Sequence, residues 1–241
     1  MHTPQSGVPM STTGSILAGI LSIAIGVLGP TSPDATAEQP TSAPSAVSEQ
    51  SVDKARDQLD QLDVKGRAPK TGYSRAQFGK SWDDNVDVEY GNNNCPTNED
   101  IKARDFINIA FVPNTDDCKV KSGLLHDPYS GKKVQYQRTN NDRTVSIDHI
   151  VSLSDAWQKG AQKLTAKERR NFANDPRNLV ATTDSLNSQK GDGDAATWLP
   201  PSKSYRCDYA KSQIEVKTIY DLWVTAAEKE ALHRQLDTCN R

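Results

Sequence analysis

The chain has 241 residues, enough for one substantial domain with a leader, and carries a formal charge of −2 with 35% hydrophobic and 6% aromatic residues. So balanced a charge excludes recognition of a polyanion by overall charge alone, and any such surface has to be local. The 4 cysteines contain no Cys-x-x-Cys pair, which argues against a zinc ribbon.

In chain order, Ile16 to Leu28 is an apolar run that ends at Gly29-Pro30 and is followed by Ala35-Thr36-Ala37. The run has the length of a signal-peptide core and falls short of the roughly 20 residues a membrane span needs. We therefore expect a leader over 1–37, cut after Ala37. No Lys or Arg precedes the run, so a retained N-terminal segment is the alternative. No cysteine follows it closely, which argues against a lipoprotein anchor. The stretch 38–50 is rich in Ser, Thr, Ala and Pro and is expected to be a disordered linker ahead of a domain over 51–241.

Val52, Ala55, Leu59 and Leu62 recur at helical spacing after Ser51, a plausible cap. Thr97 to Phe106 predicts a helix, with Thr97 and Asp100 read as a capping-box variant. Strands are expected over Ile107–Val112, Lys119–Leu125 and Lys133–Arg138, the last two joined by the turn Asp127-Pro128-Tyr129-Ser130-Gly131. Asn140-Asn141-Asp142 should turn the chain into a strand over Thr144–His149. Helices open at Ser154 and at Thr165, the second with a capping box to Glu168. A strand over Asn178–Ala181 follows Pro176, and Thr183 caps a short helix presenting Asn187 and Lys190. Two helices close the chain, around Tyr205–Leu222 and Thr225–Leu236, the latter with Glu228 three residues after Thr225. An even cysteine count behind a leader favours disulfides and an extracellular setting. Of three possible pairings, Cys95–Cys118 with Cys207–Cys239 is expected, one loop on each side of the central stretch.

That stretch runs from Ile147 to Asp192. It sets Asp148 beside His149 at the end of an alternating strand and adds Asn178 and Asn187 about thirty residues later. Carboxylate and amide oxygens suit a hard divalent cation, and a neutral imidazole suits a base that strips a proton from water. Together they point to metal-assisted hydrolysis of a phosphodiester. Basic residues flank the stretch: Lys159, Lys163, Lys167, Arg169, Arg170, Arg177 and Lys190 in one group, Lys119, Lys121, Lys132, Lys133, Arg138 and Arg143 in the other. They read as a phosphate-binding surface or as solvated helix and hairpin faces.

Asp148-His149-Ile150-Val151, then Asn178, then Asn187 with Lys190, resembles the HNH (ββα-metal) endonuclease motif. Asn178 through Asp192 is also similar to the HNH domain of the CRISPR-guided nuclease in its asparagine spacing and Lys-Gly-Asp ending. Gly72-Tyr73-Ser74-Arg75, Trp82-Asp83-Asp84, Arg104-Asp105 and His126-Asp127-Pro128-Tyr129 extend the resemblance from Leu59 to Cys239. Over that length the chain resembles secreted bacterial HNH proteins related to the C-terminal nuclease domain of the GmrSD-type modification-dependent restriction enzyme. Ser152 departs from the pattern, at a place often held by proline.

The resemblance implies an α+β fold: a ββα-metal core over about 144–192, elaborated by an N-terminal helix and β-hairpin and by C-terminal helices, and stapled by disulfides. It implies His149 as general base, Asp148 and Asn187 as ligands of a divalent cation (Mg²⁺, with Mn²⁺ or Ca²⁺ as alternatives), and Asn178 as the residue fixing the loop that carries the base. A regular strand would send Asp148 and His149 to opposite faces. The resemblance implies that the backbone turns both toward one phosphate. Lys190, Arg138, Arg143 and His126 are the candidate substrate contacts, with a helix C-terminal cap as the other reading of Lys190 and a surface turn as that of His126. The function implied is a secreted, metal-dependent endonuclease acting on DNA or RNA, free of the membrane once the leader is removed. The competing class is a non-catalytic extracellular binding module with a structural Ca²⁺ on Asp148 and Asn187.

Overall fold

A computed structural model describes residues 46–139 and 143–239. The expected signal-peptide core, its cleavage site, the linker as far as 45 and the Asn140-Asn141-Asp142 turn lie outside the described residues. All described residues belong to the unit Ser42–Arg241. They form seven α-helices and two small sheets, a mixed α+β arrangement closed by two disulfides.

Helix α1, Ala46–Gln61, begins five residues ahead of the expected Ser51, so 46–50 are helix and not linker. Its buried stripe Val52, Ala55 and Leu59 packs with Ala210, Ile214, Leu232 and Leu236 from the last two helices of the chain. The capping box expected at Thr225 and Glu228 forms there, as does the one at Thr165 and Glu168. Cys207–Cys239 and Cys95–Cys118 are the observed pairs, as expected.

Helix α2, Thr97–Asp105, leads into a three-stranded antiparallel sheet of β1 (Phe106–Phe111), β2 (Val120–Asp127) and β3 (Lys132–Gln137). The β2–β3 turn is built around Asp127. Its carboxylate accepts from the Tyr129 amide at 3.1 Å and from Ser130 Oγ at 2.6 Å, while Gly131 takes the left-handed φ of 71° that closes the turn. The capping-box variant expected for α2 does not form. Thr97 Oγ1 instead donates to the Asp83 carbonyl at 3.2 Å, and Asp100 accepts from Asn93 Nδ2 at 2.9 Å. Both side chains are taken up by the segment ahead of the helix, Thr97 by the Asp83 carbonyl and Asp100 by Asn93.

Strands β4 (Val145–His149) and β5 (Leu179–Thr183) pair antiparallel, with Ile147 opposite Ala181 and His149 opposite Leu179. Between them lie α3 (Leu153–Gln158), capped by Ser152, and α4 (Ala166–Asn174). Helix α5, Asp184–Lys190, follows β5 directly and packs on both strands. The chain closes with α6 (Arg206–Ile219) and α7 (Ala226–Leu236). Thr183 pairs with Val145 in the ladder and makes no side-chain cap for α5.

Two polar devices hold this centre in place. Arg104 donates to the Pro176 and Leu179 carbonyls, both at 2.7 Å, and Asp105 accepts from the Ala181 amide at 2.8 Å, so α2 clips the start of β5. Farther in, Lys159 is fully buried with Asp155, Asp194 and Glu228 each at 2.7 Å, and Lys217 and Arg67 close the same network. Three cations meet three carboxylates, which offsets the cost of taking so many charges out of water.

Candidate active site

Asp148 and His149 keep the alternation of a regular strand and face opposite sides of β4. The turn toward a common centre that the resemblance implied is absent. On one side, the Asp148 carboxylate is buried with the Tyr129 hydroxyl at 2.6 Å and the Lys190 ammonium at 2.9 and 3.0 Å. Lys190 also donates to the His149 carbonyl at 2.7 Å, tying the end of α5 to the end of β4. Burial pushes the Asp148 carboxyl up, against the pull of Lys190 and Tyr129.

On the other side, the His149 ring stacks on Trp82, with centroids 5.6 Å apart and planes 11° from parallel. Its Nε2 lies 2.8 Å from the Ala173 carbonyl. A carbonyl only accepts, so Nε2 carries the proton and Nδ1 keeps the lone pair. Burial pushes the imidazole pKa down to about 3, Arg75 and Lys190 push the same way, and the Ala173 carbonyl pulls back. His149 is therefore neutral at ordinary pH. It lines a small cavity with Arg75, Phe78, Gly79, Lys80, Ser81, Trp82, Leu153 and Ala173.

Asn178 is fully buried. Its Oδ1 accepts from the Val151 amide at 2.8 Å, its Nδ2 lies 3.3 Å from the Val151 carbonyl, and its own carbonyl accepts from the Ile150 amide at 2.8 Å. Asn178 thus pins the Ile150–Val151 backbone that leaves His149, and Gln213 Nε2 holds the same stretch through the Ile150 carbonyl at 2.5 Å.

A cation site on Asp148 and Asn187 is not assembled. The Asp148 carboxylate is already neutralised by the Lys190 ammonium, and a divalent ion there would meet like charge. Asn187 turns to Ser146, its Nδ2 donating to Oγ at 2.9 Å. Among the described residues no group of three or more His, Cys, Asp and Glu side chains could hold a metal. The residues as placed do not fit the ion.

The substrate contacts also change. Lys190 is buried in its pair with Asp148 and is not available to a phosphate. Arg138 donates to the Val120 carbonyl at 2.7 Å and pairs with Glu99, so it braces β3 against α2. Arg143 is exposed just ahead of β4. His126 is exposed in an open cleft with Arg104, Arg177 and Tyr205, away from the His149 cavity. Much of the flanking basic cluster is spent internally: Lys159 in the buried network, Lys167 on Asp87, Arg177 on Asp175, and Arg169 on the Gln77 carbonyl at 2.8 Å.

Tyr129 and Trp82 lie in segments that carry the resemblance but have no expected role, and both touch the central pair. Nothing local marks Tyr129 as buried, because it sits inside a turn sequence. Trp82 is 67 residues from His149 in sequence, and no periodicity links them.

A family model for the C-terminal domain of GmrSD restriction endonucleases matches residues 96–235. An "Uncharacterized secreted protein" of the fungus Arthroderma benhamiae is 38% identical over 202 residues, which is 83% of this chain and 89% of the relative. That relative is fungal, so the expected likeness to bacterial proteins in particular is not supported. No solved structure matches the chain.

Proposed function

The chain belongs to the family of GmrSD restriction endonuclease C-terminal domains, and from that premise we propose that it is a secreted endonuclease of the HNH type, hydrolysing phosphodiester bonds of DNA with RNA as the alternative substrate. The protein is extracellular, in keeping with a secreted relative and with two disulfides that need an oxidising compartment. In this reading residues 1–37 are a leader removed on export.

The observation that carries the reading is His149: neutral, oriented by Ala173, stacked on Trp82, and lining a cavity with Arg75 and Lys80. In the substrate complex the negative charge of the phosphate offsets the burial and the cations that hold the imidazole down. Nδ1 then takes a proton from water as the water oxygen attacks phosphorus. The bond from phosphorus to the departing oxygen breaks in line, and that oxygen takes a proton from solvent. The Ala173 carbonyl steadies the imidazolium while it lasts. Asn178 keeps the backbone beyond the base from shifting. A divalent cation reaches Asp148 only if the Lys190 ammonium leaves it, so these steps use the chain's own groups. The binding-module reading is weaker, since Lys190 already supplies the positive charge that a structural Ca²⁺ would bring to Asp148.

Nicking of supercoiled plasmid by the mature chain and by His149→Ala, with Mg²⁺, with Mn²⁺ and with EDTA, tests the proposal. The substitution should lower the rate by about 10²–10⁴ while DNA binding persists. Cleavage by His149→Ala at the parental rate would refute it.

A further inference from the structure

We propose that Arg75 and Lys80 form a binding site for the backbone phosphates of a nucleic acid at the mouth of the His149 cavity. The site lies on a segment that the matched family region, residues 96–235, does not include. This inference rests on the nuclease reading and assigns substrate contacts to it.

The segment is anchored, not draped. A short 3-10 turn spans Arg75–Phe78, and Phe78 is buried against Trp157 and Phe172 with ring centroids 6.3 and 5.9 Å away. Gly79 then turns the chain at a φ of 83°, where a Cβ would stand 3.2 Å from the Arg170 side chain. Trp82 completes the arc on the face of His149. This path sets Arg75 and Lys80 on the wall of the same cavity as the base.

Charge decides what the cavity takes. Its lining includes two cations and no carboxylate. Both cations are exposed, and neither enters an ion pair among the described residues. Other basic residues of the chain differ: Lys159, Lys190, Lys167 and Arg177 are each paired with a carboxylate. Holding two unpaired positive charges near an imidazole that already resists protonation suits an anion that has yet to arrive. Arginine can meet a phosphate with two parallel N–H donors, and lysine with a point charge. The scissile phosphate, or its neighbour on the same strand, would then sit within reach of Nδ1.

The test is binding of a short fluorescent duplex DNA to the mature chain carrying His149→Ala, followed by anisotropy across a salt series. Arg75→Ala and Lys80→Ala are added singly, beside Lys54→Ala on the exposed face of α1 as a control of equal charge change. Each of the first two should weaken binding and make the slope of log K against log salt shallower by about 0.9, the loss of one phosphate contact. Lys54→Ala should change neither, and Arg75→Lys should keep most of the slope. In the parent background both alanine variants should raise KM. Parental affinity and slope in both, with a parent that cleaves DNA, would overturn the inference and leave the nuclease reading standing. A parent that neither binds nor cleaves nucleic acid would overturn both.

Discussion

Lys190→Met removes an ammonium while keeping most of the side chain's length. In the structure that ammonium has three acceptors, the two Asp148 oxygens at 3.0 and 2.9 Å and the His149 carbonyl at 2.7 Å. After the change, Asp148 keeps only the Tyr129 hydroxyl as a side-chain donor, and its charge stays buried without a counter-ion. Breaking a buried pair from one side costs about 3–5 kcal/mol, because the surviving charge cannot return to water. Adding Asp148→Asn removes that charge, so the double variant should recover a large part of the loss. The deficit should also shrink on acidification. Without Lys190 the Asp148 carboxyl rises further above its unfolded value, and a raised carboxyl favours the folded state as pH falls. Urea unfolding at pH 7 and pH 5, read by tryptophan fluorescence, measures all three effects. A loss under about 1 kcal/mol, or strict additivity of the two substitutions, would show that the pair is not the closed unit described here.

Three other outcomes are expected. His149 titrates at about 3 in the folded chain against 6.5 unfolded, so its stabilising effect is complete above pH 6.5 and is lost as pH falls toward 3. The parental cleavage rate should accordingly show no acid limb near pH 6.5 from the imidazole, and a rate profile halving there would contradict the buried neutral base. The mature protein should contain no free thiol, and reducing either disulfide, each closing a loop of a few dozen residues, should cost about 3–4 kcal/mol in denaturant unfolding. N-terminal sequencing of exported protein should begin near Glu38, and a chain retained with its first residues intact would sink the proposed leader.

What the sequence determined by itself is local. The Asp127–Gly131 turn, the capping boxes at Thr165 and Thr225, the stripe of α1 and the order β4, β5, α5 were all legible, because turn chemistry, caps and periodicity act between residues a few positions apart. The cysteine pairing was also within reach, since four residues allow few connections. The fate of the charges was not. Lys159, Lys190 and Arg138 sit in stretches that read as basic surface, yet the first two are buried and the third is bound to Glu99. A lysine's pattern in sequence is the same whether it meets water or a carboxylate 42 positions away, as Lys190 meets Asp148. Alternation sent Asp148 and His149 to opposite faces, and the resemblance implied otherwise. Packing kept the alternation, because Tyr129 and Lys190 satisfy the carboxylate on one side while Trp82 and Ala173 enclose the imidazole on the other. Each of those partners comes from a different part of the chain, and only the tertiary fold brings them to the same strand end.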